Sequence, residues 1–199
     1  MLYNIVMKIP ETTRDYLINA AYEEIYEKGY QGANTSTILK SLDMNKGSMY
    51  HFFKSKKDLA LCVIDEKLKK RIEAKYHPFT IYKENIIEEL VSLLENVNIL
   101  NIKYGCPVNN LIQEMSPLDK DFAIALESIY SYMEKCIEIA LDSAVKNNEV
   151  SSSVDTRKLS MFIISSMEGS MITAKKSNSY QNYLDSISVL VDYLKSLKI

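Results

Sequence analysis

Apolar residues recur three and four positions apart along most of this chain, the spacing of a helix with one buried face. Leu17, Ala20, Ala21 and Ile25 share such a face, and Thr12 or Thr13 supplies an N-cap. The pattern stops at Gly29, which predicts a first helix over about 13–28. Ile38, Leu39 and Leu42 predict a second, barely two turns long, from Thr35 or Ser36 to near Asp43. "NKGSMYHFF" resumes as another short helix, with Met49 and Phe53 four apart and facing inward. Short helices joined by a turn of a few residues predict a helix-turn-helix.

A longer helix follows, capped by Ser55 with Asp58 three residues on, and carries Leu59, Val63, Leu68 and Ile72 to about Lys75. Pro78 ends it by disfavouring helix at His77. Further helices are predicted over about 82–103, from Pro107 to Met115, from Pro117 to about Lys146, and from an Asp155 cap to about Lys176. The last spans Tyr180 to Leu197, with Leu184, Ile187, Leu190, Val191 and Leu194 as its stripe. The expected fold is all-α with about nine helices. An N-terminal three-helix module with its linking helix occupies residues 1–75, and a larger helical domain occupies 76–199.

Composition agrees, since five Gly and four Pro in 199 residues suit long helices better than many short strands. No apolar run approaches the ~20 residues of a membrane span. The opening "MLYNIVMKIPETT" lacks the basic start of a secretory signal, and a start at Met7 would leave a short tail, so the chain is expected in the cytoplasm. Cys62, Cys106 and Cys136 are odd in number and far apart, which predicts reduced thiols and neither disulfide nor Cys-x-x-Cys metal site. The two histidines form no metal pair and no phosphate-binding glycine loop occurs, so no cofactor, metal or catalytic residue is expected.

Charge changes the picture locally. The chain carries a net −2, yet residues 40–57 hold Lys40, Lys46, Lys54, Lys56 and Lys57 against Asp43 alone. Such a patch attracts DNA by displacing condensed counterions, whatever the charge elsewhere. A groove-reading helix needs small residues at its leading end and polar or aromatic tips beyond it. Gly47 and Ser48 supply the first, Tyr50 and His51 the second. Thr35, Ser36 and Thr37 offer hydroxyls and helix-start amides to a phosphate, as Ser55 and Lys56 do at the next helix.

"AAYEEIYEKGYQGANTSTIL" and "NKGSMYHFFKSKKDL" resemble the TetR family of bacterial one-component repressors, strongly over residues 12 to 75. The resemblance implies DNA contacts at Thr35, Lys46, Gly47, Tyr50, His51 and Lys56. It implies a palindromic double-stranded operator, a homodimer, a small-molecule effector and no membrane. Two positions depart from the family pattern: Asp43 stands for the turn glycine, and Phe52 stands where Tyr or His commonly contacts a phosphate. Further on, "YGCPVNNLIQEMSPLDKDF" and "SMEGSMITAKKSN" look like a branch with a Gly-Cys sensing helix, which includes repressors of reductase and detoxification genes.

Cys106, between Gly105 and Pro107 at a helix start, is expected to have its thiol pKa lowered by amide dipoles, which would suit electrophile or oxidant sensing. The branch pattern suggests Lys175 or Lys176 as its basic partner. Cys62 and Cys136 read as small buried hydrophobes. Tyr104, Cys106, Gln113, Met115, Tyr130, Met133, Met167 and Met171 are the candidate ligand residues. By resemblance, Ser166, Gly169, Ser170 and Thr173, with the stripe from Leu184 through Ile187, Leu190 and Val191 to Leu194, would pair across a four-helix dimer interface. The function expected is a repressor released from its operator by an electrophilic or hydrophobic effector. The alternatives are a helical enzyme using Cys106 with a histidine base, and a helical adaptor whose basic patch binds an acidic protein.

Overall fold

The computed structural model describes residues 12–199; the short tail and the alternative start at Met7 lie outside the described residues. Every helix or strand element there is helical, apart from one isolated bridge between Val150 and Lys198. The residues fall into two compact units, one ending at Val63 and one running from Ile64 to Ile199.

The first unit contains α1 (Thr13–Gly32), α2 (Thr35–Ser41), α3 (Lys46–Phe52) and α4 (Lys56–Val63). A capping box opens α1, with Thr12 Oγ1 accepting from the Asp15 amide and the Asp15 carboxylate accepting from the Thr12 amide. Gly29 breaks the helical path at φ 74°, and helical turns resume to Gly32. Asn34 and Asn45 cap α2 and α3. Between these two helices Asp43 takes φ 53°, the left-handed conformation that Asp tolerates better than most residues. Ser55 Oγ accepts from the Asp58 amide at 3.0 Å while the Asp58 carboxylate accepts from the Lys54 amide at 2.8 Å, as the capping pattern predicted. Leu17, Ile18, Ala21, Ile38, Leu39, Met49, Phe53 and Leu59 form the core.

The second unit opens with a π-helical stretch (Ile64–Lys69), then α5 (Lys70–Tyr76) and a 3₁₀ turn (His77–Thr80). Pro78 does not end the helix at His77, which keeps right-handed helical angles; the proline sits in the first turn of the tighter helix, where its missing N–H costs nothing. The predicted helix over 82–103 is shorter: α6 spans Ile86–Glu95, with a 3₁₀ turn at Val97–Ile99. Asparagines cut it. Asn85 turns left-handed at φ 55° before α6, and the Asn96 and Asn101 side chains accept from amides two and three residues on. Glu149 caps α6 from a distance, accepting from the Ile86 and Ile87 amides at 3.0 and 2.8 Å, while its carbonyl accepts from the Ile199 amide.

Next come α7 (Pro107–Met115), α8 (Lys120–Lys146), α9 (Thr156–Ser177) and α10 (Tyr180–Ser196). Asp119 rather than Pro117 starts α8, because its carboxylate satisfies the Asp121 and Phe122 amides. Helix α8 packs on α7 and α9, and α10 packs on α9 and α6. Leu90, Leu94, Phe122, Leu126, Ile137, Ile163 and Ile164 lie fully buried among them.

Candidate nucleic-acid and effector sites

Helix α3 is too short to be stable alone, so its orientation is set by what it buries. Met49 and Phe53 are 1% exposed, which turns Tyr50 (57% exposed), His51 and Phe52 (38%) to solvent. Lys46 and Gly47 are exposed at its leading end, and Ser48 is half-buried with its amide on the Asn45 cap. A methyl group at Gly47 would stand 3.1 Å from Asn45 Oδ1 and press on that cap. At the start of α2, Ser36 and Thr37 are exposed and Thr35 is half-buried. Lys56 is engaged within the unit, donating to the Gln31 carbonyl at 3.3 Å and lying 4.7 Å from the Tyr30 ring centre.

Sequence reasoning missed Glu24, which no local pattern marks. It is buried, accepts from the Asn34 amide at 3.1 Å and from Lys28 Nζ at 2.8 Å, and so fixes the corner between α1 and α2. Burial pushes its pKa up, but the Lys28 and Asn34 bonds and the charges of Lys28 and Lys56 hold it below the usual value. Cys62, expected as a buried hydrophobe, is only half-buried, and Arg14 Nη2 lies 3.6 Å from its sulfur.

In the second unit the candidate ligand residues separate. Met115, Met133, Met167 and Met171 are buried; Tyr104, Cys106 and Tyr130 are half-buried; Gln113 is exposed and donates to Asn109 Oδ1 at 3.2 Å. None of them lines the surface cleft of about 460 Å³ between α6 and α10, whose walls include Ile87, Val91, Glu95 and Lys195. The expectation for Cys106 is overturned. Burial pushes its thiol up to about 12, and the neighbouring Glu168 carboxyl adds to the rise; the Asn109 and Val108 amides at the start of α7 pull the other way and lose. The cation coupled to Cys106 is Lys75 of α5, whose pKa is lowered by burial against the opposing charges of Cys106 and Glu168. Lys175 contributes its stem instead, with Cδ 3.5 Å from where a Gly105 side chain would begin.

Glu168 is the second residue that sequence reasoning missed. It is 5% exposed on α9, and burial raises its pKa against the opposing influence of Cys106, Lys75 and Asn109. Tyr76, Tyr130 and Tyr183 feel its charge, and Tyr76 Oη lies 3.8 Å from Met167 Sδ. No local spacing could have announced this cluster, because its members come from five helices.

The expected dimer stripe is also corrected. Ile187, Leu190, Val191 and Leu194 are 4% exposed or less, buried inside the unit, so they have no area left to give a partner. Ser170 is likewise buried and bonds Ser186 at 3.0 Å, whereas Leu184, Ser166 and Thr173 are half-buried. The large apolar side chains that α9 and α10 leave exposed are Met161, Phe162, Ile172, Tyr180, Val189 and Tyr193, and Gly169 is open.

Comparison with known proteins agrees with this architecture. Residues 17–63 match the profile of bacterial regulatory proteins of the tetR family, and residues 84–186 match the tetracyclin repressor-like C-terminal domain. An HTH-type transcriptional regulator of Lactococcus lactis subsp. lactis is 34% identical over 129 residues, 63% of this chain and 66% of that one. The HTH-type transcriptional repressor NemR of Escherichia coli is 21% identical over 85% of this chain and 87% of its own length. Among solved structures, a TetR regulator from Chloroflexus aurantiacus superposes with a TM-score of 0.83 at 19% identity, covering 94% of this chain and 96% of that one. No helix among the described residues is long and apolar enough to cross a membrane, and no group of three acidic, His or Cys residues there could hold a metal ion. A helix-turn-helix unit followed by a helical unit, each matched by its own profile, makes the chain a DNA-binding transcriptional regulator that belongs to the tetR family.

Proposed function

We propose that the protein is a homodimeric transcriptional repressor whose α3 helices read a palindromic operator, and that an effector bound in the second unit releases it. The observation that carries this reading is the split of α3, with Met49 and Phe53 buried while Tyr50, His51 and Lys46 face out. The DNA-reading residues are Lys46, Gly47, Ser48, Tyr50 and His51, with Thr35, Ser36 and Thr37 on phosphate. Lys56 acts through Tyr30 and Gln31 to brace that surface. The exposed apolar face of α9 and α10 supports dimerisation, since buried apolar area is the main source of association energy. Residues 1–75 serve DNA and 76–199 serve effector and partner.

The effector acts by binding one conformation better than another, which shifts the population away from the operator-competent state. Cys106 has no role in turnover: its neighbours are a carboxyl and an ammonium rather than a histidine base, and its thiol is held protonated. The protein acts in the cytoplasm as a regulator without a cofactor. The test is selection of bound duplexes from a genomic pool, followed by anisotropy titration. Tyr50→Ala should weaken the recovered site about tenfold or more, and Lys46→Ala should lower the salt slope by about one. Binding that shows no sequence preference, or that both variants leave intact, rejects the reading.

A further inference from the structure

Two polar atoms in the second unit are buried with no hydrogen-bond partner among the described residues: Glu168 Oε2 and Tyr183 Oη. Their residues are 5% and 0% exposed, on α9 and α10, which pack together. Leaving a buried polar group unmet costs about 1–3 kcal/mol, so native chains seldom keep one without a use. The cost at Tyr183 is avoidable, because Phe fills the space of Tyr, and at Glu168 it is the second oxygen alone that goes unmet. Two such atoms beside one another in influence, one acid and one phenol, point to a molecule that completes them.

The surroundings restrict that molecule. Lys75 feels the charges of Cys106 and Glu168, and Glu168 acts in turn on Cys106, Tyr76 and Tyr130. A permanent cation would meet the Lys75 ammonium and a permanent anion would meet the Glu168 carboxylate, each without solvent to screen it. An uncharged molecule avoids both. Burial raises the Tyr183 pKa, so the phenol keeps its proton and donates. Glu168 needs a donor when ionised and an acceptor when protonated, and a group carrying both serves either state.

We propose that Glu168 and Tyr183 form a polar subsite for a small uncharged amide-like molecule, with its N–H on the carboxyl and its carbonyl on the phenol. This deepens the effector reading above and rests on it. The experiment uses the full chain and follows its thermal melting with acetamide and benzamide as probes, against benzylamine and benzoate as charged molecules of matching size. The amides should raise the melting temperature saturably by roughly 2–4 °C at several times their dissociation constant. The charged comparators should not, and Tyr183→Phe and Glu168→Leu should each abolish the rise. Without ligand, Tyr183→Phe should melt at or above the wild-type temperature, since the hydroxyl it removes has no partner. The proposal is overturned by the absence of a saturable rise with either amide, by an equal rise with the charged probes, or by a rise that survives both substitutions. A Tyr183→Phe protein melting several degrees lower overturns it as well, because the hydroxyl would then be structural. Binding to recovered operator duplexes is measured in parallel: if it persists while the amides fail, the subsite is wrong and the DNA-binding reading stands.

Discussion

Each unit of this protein buries a glutamate and half-exposes a cysteine, and the two units surround them differently. Glu24 in the first is met by a backbone amide and an ammonium, and its pKa falls below the usual value. Glu168 in the second keeps one oxygen unmet, and its pKa rises. Cys62 lies beside a guanidinium; Cys106 lies beside a carboxyl. A unit that presents a fixed surface to DNA satisfies what it buries. On the proposed reading, the unit that accepts a ligand keeps polar atoms unmet, and loses some stability for it.

The largest expected effect concerns the thiols. With its thiol pushed up to about 12, Cys106 should react with iodoacetamide at pH 7 roughly a hundredfold more slowly than a free cysteine, and more slowly than Cys62. Mass spectrometry of the alkylated peptides over time measures this directly. Glu168→Gln should speed the reaction, because the carboxyl's charge is one cause of the rise; an unchanged or faster wild-type rate at Cys106 would break the contrast.

A smaller effect separates the carboxylates. Glu24→Leu should cost about 2 kcal/mol in urea unfolding, by orphaning the Asn34 amide and releasing Lys28. Glu168→Leu should cost less than that, since one of its two oxygens has no partner to lose while the other is engaged with Cys106 and Asn109. If both substitutions destabilised equally, the two glutamates would be doing the same structural job.

The smallest effect is in acid, with opposite signs for the two residues. Glu24 has its pKa lowered by folding, so its stabilisation is present above the unfolded carboxylate pKa and fades as pH falls through the folded value. Glu168 has its pKa raised, so its penalty is full above the folded value and is relieved as pH falls from there to the unfolded one, about 4.3. Urea midpoints should therefore fall less steeply in Glu24→Gln than in wild type from about pH 5 down to about pH 2, and more steeply in Glu168→Gln between neutral pH and about pH 4.

Much of the fold was legible because its signals are local. Thr12, Ser55 and Asp155 each satisfy amides within a few residues, which makes those helix starts readable without knowledge of the rest, although the same local chemistry at Asp119 went unread. Other failures were non-local. The stripe from Leu184 to Leu194 says that a face of α10 is buried, but periodicity carries no label for what buries it, and most of that face packs inside the unit. Cys106 sits at a helix start as expected, yet burial, joined by a carboxyl from α9 distant in sequence, outweighs the amides of its own helix. The π-helical stretch at Ile64–Lys69 carries no proline or glycine to betray it.

Glu149 has a consequence for cooperativity. Its carboxylate reaches 63 and 62 residues back to the first amides of α6, and its carbonyl holds the Ile199 amide after α10. Closing loops of that length costs little more entropy than closing loops half as long, since the cost grows only with the logarithm of length. One residue in a surface turn therefore ties the start of α6 and the end of α10 to a common fate, so that neither frays without the other.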